Sequence, residues 1–301
     1  MRRRNALLLP LLFVLVLVLV CVFLESLDPR TTGGLAYVFP SREVWDRAHS
    51  KADQRQQAGG IWHYNITHHQ KAPEVEYINQ QPEFESLADL SCNLGMHADA
   101  ILENRTAPGV PRPSIYCTDI SLKVLDVGRR DGYCPDCKRG ALDISVFADA
   151  DAFRLHADKM QRAFGTFRPR FDYVLVSDVL LYVPWGGWPP WMVQGKVICE
   201  KLLKMRDEWL SLCSEIVKKL PGVAEAQRRF VSNLLSVTRR EIVFSNNQHN
   251  FGVVAFFENV GALCRNTTMS RPYRDELWHP NCDFAVVPNA AYRQWGRSAD
   301  R

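Results

Sequence analysis

Hydrophobic and polar positions along this chain fall into three regimes. From Ala6 to Leu24 every position is apolar except for the interruptions of Pro10 and Cys21. From 25 to about 85 the chain is polar, rich in Gln, His and Gly, and no apolar period persists. From about Leu87 to Trp295, short β-branched runs bounded by polar or turn residues alternate with stretches of helical spacing. The runs at 123–127, 144–147, 173–176, 241–244 and 284–287 predict buried strands. Between 197 and 220, Val197, Ile198, Leu202, Leu203, Trp209, Leu210, Cys213, Ile216 and Val217 recur every three or four residues, which predicts a helix ending at Leu220-Pro221-Gly222. A second helix is expected over Val223–Val237. Strands mixed with long helices give an α/β domain, a mixed sheet flanked by helices. In open sheets of this kind ligands sit at the carboxyl ends of the strands, so residues just past each strand carry the interest.

The first regime bears on compartment. Nineteen apolar positions in a helix reach about 28 Å, close to the hydrocarbon thickness of a bilayer. Arg2, Arg3 and Arg4 precede them, and the positive-inside rule keeps those arginines cytoplasmic. The run is longer than a usual signal peptide's apolar stretch, and no small-x-small cleavage site follows it. The expectation is a single-pass type II membrane protein of the endoplasmic reticulum or Golgi, with a long signal peptide cleaved near residue 25 as the alternative. This divides the chain into a tail (1–5), an anchor (6–24), a lumenal stem (25–85), one α/β domain (86–296) and a C-terminal tail (297–301). His63, His68 and His69 fall in the stem without Cys or acidic partners at ligand spacing, and read as solvated.

Three sequons, at Asn65, Asn104 and Asn266, fit a lumenal domain. So do the cysteines: of nine, Cys21 lies in the apolar run, leaving eight that suit up to four disulfides in an oxidising compartment. The formal charge of +4 falls to +1 once the three N-terminal arginines are set aside, leaving 34 basic against 33 acidic side chains. That balance argues against a nucleic-acid partner, which would need a basic stripe.

The sharpest chemical signal is Asp149-Ala150-Asp151 after the apolar run 144–147. Two carboxylates one residue apart at a strand's carboxyl end can hold Mn²⁺ or Mg²⁺ against a diphosphate leaving group. This is the metal-site logic of glycosyltransferases that use nucleotide sugars, many of them lumenal type II proteins with a stem. His156 and Asp158 follow closely, and His156 can serve as ligand or base. The competing reading is a strand end followed by an N-cap, Asp151 capping a helix through Lys159 and Met160.

Val124-Leu125-Asp126-Val127-Gly128-Arg129-Arg130-Asp131-Gly132 resembles the first motif of class I methyltransferases: an apolar strand, an Asp and a glycine turn for S-adenosylmethionine. The segment from Phe171 to Tyr182 resembles the same family's later Phe-Asp-x-Val strand. This resemblance implies a cofactor site at Asp126, Gly128 and Gly132. A further resemblance runs from Val127-Gly128-Arg129-Arg130 through Asp143-Ile144-Ser145-Val146-Phe147 to Phe153 and His156. That order is similar to an uncharacterised, glycosyltransferase-like family of eukaryotic anchored proteins with a Gly-Arg-Glu, Val-Phe strand and Phe/His pattern. Asp283-Phe284-Ala285-Val286-Val287-Pro288 resembles that family's later Phe-Ala-Val strand, and the resemblance implies a glycosyltransferase-A-like fold.

Cys134-Pro135-Asp136-Cys137 looks superficially like a glutaredoxin or thioredoxin site, whose first Cys needs the N-terminus of a long helix. Gly140 and the apolar run from Ile144 leave too little room, so a structural disulfide is the expected role. A four-Cys zinc site would call for a second Cys-x-x-Cys, and the chain has none. Trp185-Gly186-Gly187-Trp188-Pro189-Pro190-Trp191 is a loop whose indoles can stack on sugar rings, Trp185 and Trp188 foremost, or pack over a neighbouring helix. Asn246 to Asn250 follow the run 241–244; Asn247 suits hydroxyl recognition and His249 suits a base, with a plain turn as the alternative. His279 is a further possible ligand or a structural residue. No Gly-x-Ser-x-Gly elbow supports Ser-His-Asp catalysis.

The sequence therefore leads to a metal-dependent transfer from a nucleotide sugar to a glycan or glycoprotein acceptor, with Asp149 and Asp151 at the metal and His156 or His249 as base. An S-adenosylmethionine-dependent methyltransferase and a non-catalytic lumenal protein stay open beside it.

Overall fold

The computed structural model describes residues 72–105, 111–149, 151–153, 171–177, 179–180, 183–188, 219–245, 251–265 and 282–290. Their centre is a seven-stranded sheet: β1 (Ser86–Leu90), β2 (Ser114–Asp119), β3 (Lys138–Ala141), β4 (Phe171–Val176), β5 (Thr238–Ser245), β6 (Leu263–Arg265) and β7 (Phe284–Pro288). The spatial order is β3-β2-β1-β4-β5-β7-β6. β1 to β5 run parallel, while β7 is antiparallel to β5 and to β6. The expected mixed α/β sheet is therefore present.

Helices cover both faces: α1 (Pro73–Asn79), α2 (Met96–Glu103), α3 (Leu122–Arg130), α4 (Val223–Val237) and α5 (Phe251–Val260). Side chains alternate between two cores as strand geometry requires. Leu87, Tyr173, Leu175, Val243, Phe284 and Val286 join Val75, Ile78, Ile101, Val124 and Leu125 on one face. Ala88, Leu90, Val174, Val176, Ile242, Phe244 and Ala285 join Phe147, Phe230, Leu234 and Phe256 on the other. Strands buried on both sides carry near-continuous apolar runs, which is why 173–176, 241–244 and 284–287 were legible. Each fully buried side chain of the size of Phe244 or Phe230 contributes roughly 1.5–3 kcal/mol.

Two expected strands are not strands. The run 123–127 lies inside α3, because Ser121 caps the helix by accepting a hydrogen bond at its Oγ from the Val124 amide (3.3 Å). Its buried residues, Val124, Leu125, Val127 and Gly128, then line one helical face. The run 144–147 forms a 3₁₀ turn, Ile144–Ala148, started by the Asp143 carboxylate on the Ser145 amide (2.9 Å). The helix Val223–Val237 has the expected bounds; the helix at 197–220 lies outside the described residues. β1, β2, β3 and β6 were not expected. The domain also begins earlier than residue 86: α1 is packed into it through Val75 and Ile78, both with no exposed surface.

Among the described residues no helix is long and apolar enough to cross a membrane; the run 6–24 lies outside them. Cys134 is bridged to Cys137 and Cys264 to Cys282, while Cys92 and Cys117 are buried thiols.

Candidate functional site

The parallel strands run outward in both directions from β1 and β4, so the chain's order reverses between those two neighbours. Such a switch point opens a crevice beyond the carboxyl ends of the strands, the usual ligand position in open α/β sheets. In register, Leu90 of β1 stands level with Thr118 of β2 and Val176 of β4. Ser91, Asp119 and Ser177 form the next row, the rim of the crevice.

The turn leaving β1 is built on left-handed backbone. Ser91 (φ 63°), Asn93 (φ 54°) and Gly95 (φ 92°) alternate along it. A left-handed non-glycine residue costs roughly 1–2 kcal/mol, and asparagine bears it best because its short amide bonds locally. Two such residues in one turn mark a conformation that the surroundings impose, the kind of strain that gathers at ligand clamps. Three hydrogen bonds hold it: Cys92 N–H to the Thr118 carbonyl (2.9 Å), Gly95 N–H to the Cys92 carbonyl (2.8 Å) and Asn93 N–H to Asp119 Oδ2 (3.1 Å). Asp119 Oδ1 also accepts from the Ser121 amide (2.9 Å), so one carboxylate at the end of β2 fixes both the β1 turn and the start of α3.

α3 presses directly on this turn at Gly128, where a Cβ would meet the Leu94 carbonyl oxygen at 2.1 Å. Arg139 of β3 reaches across, its Nη1 donating to the carbonyls of Leu94 (3.4 Å) and Leu125 (3.3 Å), and its Nη2 to those of Tyr133 and Cys134.

Beneath the turn lies Asp89, with no exposed surface and no hydrogen-bond partner for either carboxylate oxygen. Burial first, then the nearby Asp119 and Glu74 carboxyls, push it up to about 8. The Ala98 backbone N–H and the Arg139 guanidinium favour its charged form; the Ala98 amide faces it without meeting ordinary hydrogen-bond geometry. Thr118 Oγ1 and Ser177 Oγ, at the ends of β2 and β4, are likewise buried with no hydrogen-bond partner. Buried polar groups are seldom left so, and three at one end of one sheet point to a ligand that completes them.

The residues singled out in the sequence distribute differently. Asp126 is exposed on α3, Gly128 is the close contact just described, and Gly132 follows the helix in the open. The glycine turn expected at 124–132 is thus the back of the crevice, not its floor. Asp149 is an N-cap: its Oδ1 accepts from the amides of Asp151 (2.8 Å) and Ala152 (2.9 Å), and those bonds hold its carboxyl below the usual range. The cap is therefore Asp149 and not Asp151, and the helix expected through Lys159 and Met160 lies outside the described residues. Trp185 is buried, edge-on to Phe230 with centroids 5.2 Å apart, so it packs the core and does not face a sugar. Trp188 donates from Nε1 to the Pro221 carbonyl (3.0 Å), fastening its loop to the start of α4. Asn104 is exposed at the end of α2. Asn65, His156, Asn247, His249, Asn266 and His279 lie outside the described residues.

Asp89, Ser91, Asn93, Gly95 and Asp119 were missed. The signal was present: an apolar run, an Asp, then small residues at alternate positions 91, 93 and 95. Ser and Asn stand where glycine would have made the turn obvious.

No family model matches the chain, and comparison with curated proteins finds no relative. Among solved structures, the N-methyltransferase NodS of Bradyrhizobium japonicum WM9, in complex with S-adenosyl-L-homocysteine, is similar at 11% identity and a TM-score of 0.39, over 76% of this chain and 90% of that one. An O-methyltransferase family protein of Burkholderia thailandensis is similar at 8% identity and a TM-score of 0.37, over 82% and 58%. An S-adenosylmethionine-dependent methyltransferase of Mesorhizobium loti is similar at 15% identity and a TM-score of 0.31, over 62% and 57%. The chain thus spans little more than half the length of the last two. The sheet itself shows an α/β architecture of five parallel strands with an antiparallel pair at one edge. The glycosyltransferase reading, with its glycosyltransferase-A-like sheet and nucleotide-sugar partner, is corrected accordingly: the neighbours are methyltransferases, and the carboxylate chosen for the metal caps a helix.

Proposed function

We propose that this chain binds S-adenosylmethionine in the crevice between β1 and β4 and is a methyltransferase of the class I type. The observation that carries the reading is the β1 turn: a buried Asp89, then left-handed backbone at 91, 93 and 95, opening on a helix at the switch point. This is the strand, Asp and glycine-turn arrangement of the class I resemblance, displaced to Asp89–Gly95. Electrostatics favours this cofactor over a dinucleotide or sugar nucleotide. A diphosphate needs free amides at such a turn, whereas the Asn93 amide is taken by Asp119. Asp119 repels an anion and favours a ligand bearing sulfonium and ammonium charge, and such a cation would draw the proton off Asp89, which an anion would not. Asp119, at the end of the second strand, occupies the position from which an acid takes ribose hydroxyls in doubly wound folds.

S-adenosylmethionine, when bound, supplies a methyl group activated by the sulfonium charge. The chain's part is to orient it: the turn fixes the approach, Asp119 stands at the end of β2 beside the turn, and Thr118 and Ser177 offer hydroxyls to the crevice. The lumenal placement remains part of the proposal through the 6–24 run and the three sequons; a mass shift on enzymatic deglycosylation tests it.

Calorimetry on the full chain in detergent is the experiment. Binding of S-adenosylmethionine and its demethylated product is expected, with none of NAD⁺ or of nucleotide sugars with Mn²⁺. Gly95→Val, which forces a β-branched residue to φ 92°, is expected to abolish binding. Folded wild-type chain that binds neither S-adenosyl ligand refutes the reading.

A further inference from the structure

Behind the β1 turn the fold assembles four cysteines that are scattered in sequence. The sulfurs of Cys117, Cys134 and Cys137 all lie within 4.8 Å of one another, and all three are buried. Cys117 belongs to β2; Cys134 and Cys137 belong to the loop between α3 and β3. Cys92, in the turn itself, has its thiol against that of Cys117. Around a tetrahedral Zn²⁺ with bonds of about 2.3 Å, sulfurs stand roughly 3.8 Å apart, a spacing within reach of Cys117, Cys134 and Cys137 once the bridge is open, while Cys92 stands outside that mutual 4.8 Å group and must turn in from beside Cys117.

The surroundings fit a metal better than loose thiols. The loop is held in place from outside: Asp99 Oδ1 accepts from the Cys134 amide (2.7 Å), and the Cys137 amide donates to the Cys134 carbonyl (3.0 Å). A positive charge stands close by as well. Arg139 Nη1 and Cys117 Sγ lie 3.5 and 3.7 Å from the point where a Cβ on Gly95 would sit, so the guanidinium offsets part of a thiolate site's negative charge.

We infer that Cys117, Cys134 and Cys137, with Cys92 as the fourth ligand, form a Zn²⁺ site that is available when the Cys134–Cys137 bridge is reduced. The chemistry balances as follows: a dithiol reductant closes its own disulfide, the Cys134–Cys137 bond breaks, and the two hydrogens pass to the cysteine sulfurs. Zn²⁺ then displaces four thiol protons to solvent and takes four thiolates. Bridge and metal are mutually exclusive, so the site reports the redox poise of its compartment and stiffens the β1 turn only in the reduced state.

The test titrates the full chain, reduced with a dithiol that is then removed under anaerobic conditions, against Zn²⁺ with a chromophoric competitor. One Zn²⁺ per reduced chain is expected and none per oxidised chain. Cys117→Ser and Cys137→Ser are expected to weaken uptake at least a hundredfold, Cys92→Ser roughly tenfold or more, and Cys264→Ser not at all. Co²⁺ in place of Zn²⁺ should give a thiolate-to-metal charge-transfer band that Cys117→Ser removes. Should a variant fail to fold, the wild type still decides: Zn²⁺ must protect Cys92, Cys117, Cys134 and Cys137 from alkylation, read by peptide mass. Reduced, folded chain that takes up no Zn²⁺, or uptake that leaves those four cysteines open to alkylation, overturns the inference. None of these readouts requires S-adenosylmethionine, so failure here is distinct from failure of the cofactor reading.

Discussion

Asp172 and Asp89 are both buried aspartates on adjacent parallel strands, at opposite ends of the same sheet. At the amino end, Asp172 Oδ2 accepts from the amides of Glu85 (2.7 Å) and Ser86 (3.2 Å). Arg240 and Arg239 stand 3.6 and 3.9 Å from its other oxygen. Tyr77 donates to Glu241 (2.6 Å) nearby, and Arg105 binds three backbone carbonyls while lying over Phe84. That end is closed: its charges face partners supplied by the chain. At the carboxyl end, neither oxygen of Asp89 has a hydrogen-bond partner, and the turn above it is strained. A domain tolerates one such end when something outside the chain completes it. The satisfied aspartate is architecture, and the unsatisfied one marks the site.

The largest effect expected from breaking this contrast is at the closed end. Asp172→Ala strips two part-buried amides and Arg240 of a buried acceptor and leaves Arg239 only Glu85, and should cost about 3 kcal/mol in urea unfolding. Chain that does fold should bind S-adenosylmethionine as the wild type does, since the substitution is at the far end of the sheet. A loss below 1 kcal/mol would remove the distinction between the two aspartates.

Next is the pH dependence of the open end. Asp89 titrates at about 8 in the folded chain, against about 3.9 unfolded. Folding therefore favours the protonated acid. Its contribution is complete below about pH 4, and stability falls as pH rises towards and through 8, by at most about 1.4 kcal/mol per unit. Asp89→Asn should flatten that decline between pH 6 and 8, measured by thermal unfolding with chelator present and the 134–137 bridge intact. An unchanged profile would show that Asp89 is not the group responsible.

Smaller still is the ribose contact: Asp119→Ala should weaken S-adenosylmethionine about tenfold or more by calorimetry, near 1.4 kcal/mol. The smallest change concerns the turn. Ser91→Gly and Asn93→Gly relieve left-handed strain but add unfolded-state entropy, so each should shift stability by under about 1 kcal/mol and keep cofactor binding. Asn93→Val should lose both.

The sequence carried the interior well and the site poorly, for a physical reason. β4, β5 and β7 are central strands whose apolar runs report burial on both faces, and α4 shows its period over fifteen residues. β1 was hidden because its fourth residue is Asp89, a charge in a strand that periodicity reads as a break. β3 was hidden because Lys138-Arg139-Gly140-Ala141 has no apolar pattern; Arg139 is there for its hydrogen bonds. The run at 123–127 misled because a β-branched stretch serves a helix once Ser121 caps it.

By itself, then, the amino-acid order determined a two-sided α/β interior and the long amphipathic helix, since both are written in hydrophobic spacing that local geometry must obey. Only the tertiary structure decided which aspartate is satisfied, which glycine is a packing contact, and which cysteines meet. Asp89 and Asp172 are the same residue in sequence, and differ through amides contributed from elsewhere in the chain. Cys117 becomes a neighbour of the Cys134–Cys137 pair, and Cys92 of Cys117, because β3, β2 and β1 lie side by side, a proximity that no spacing along the chain encodes.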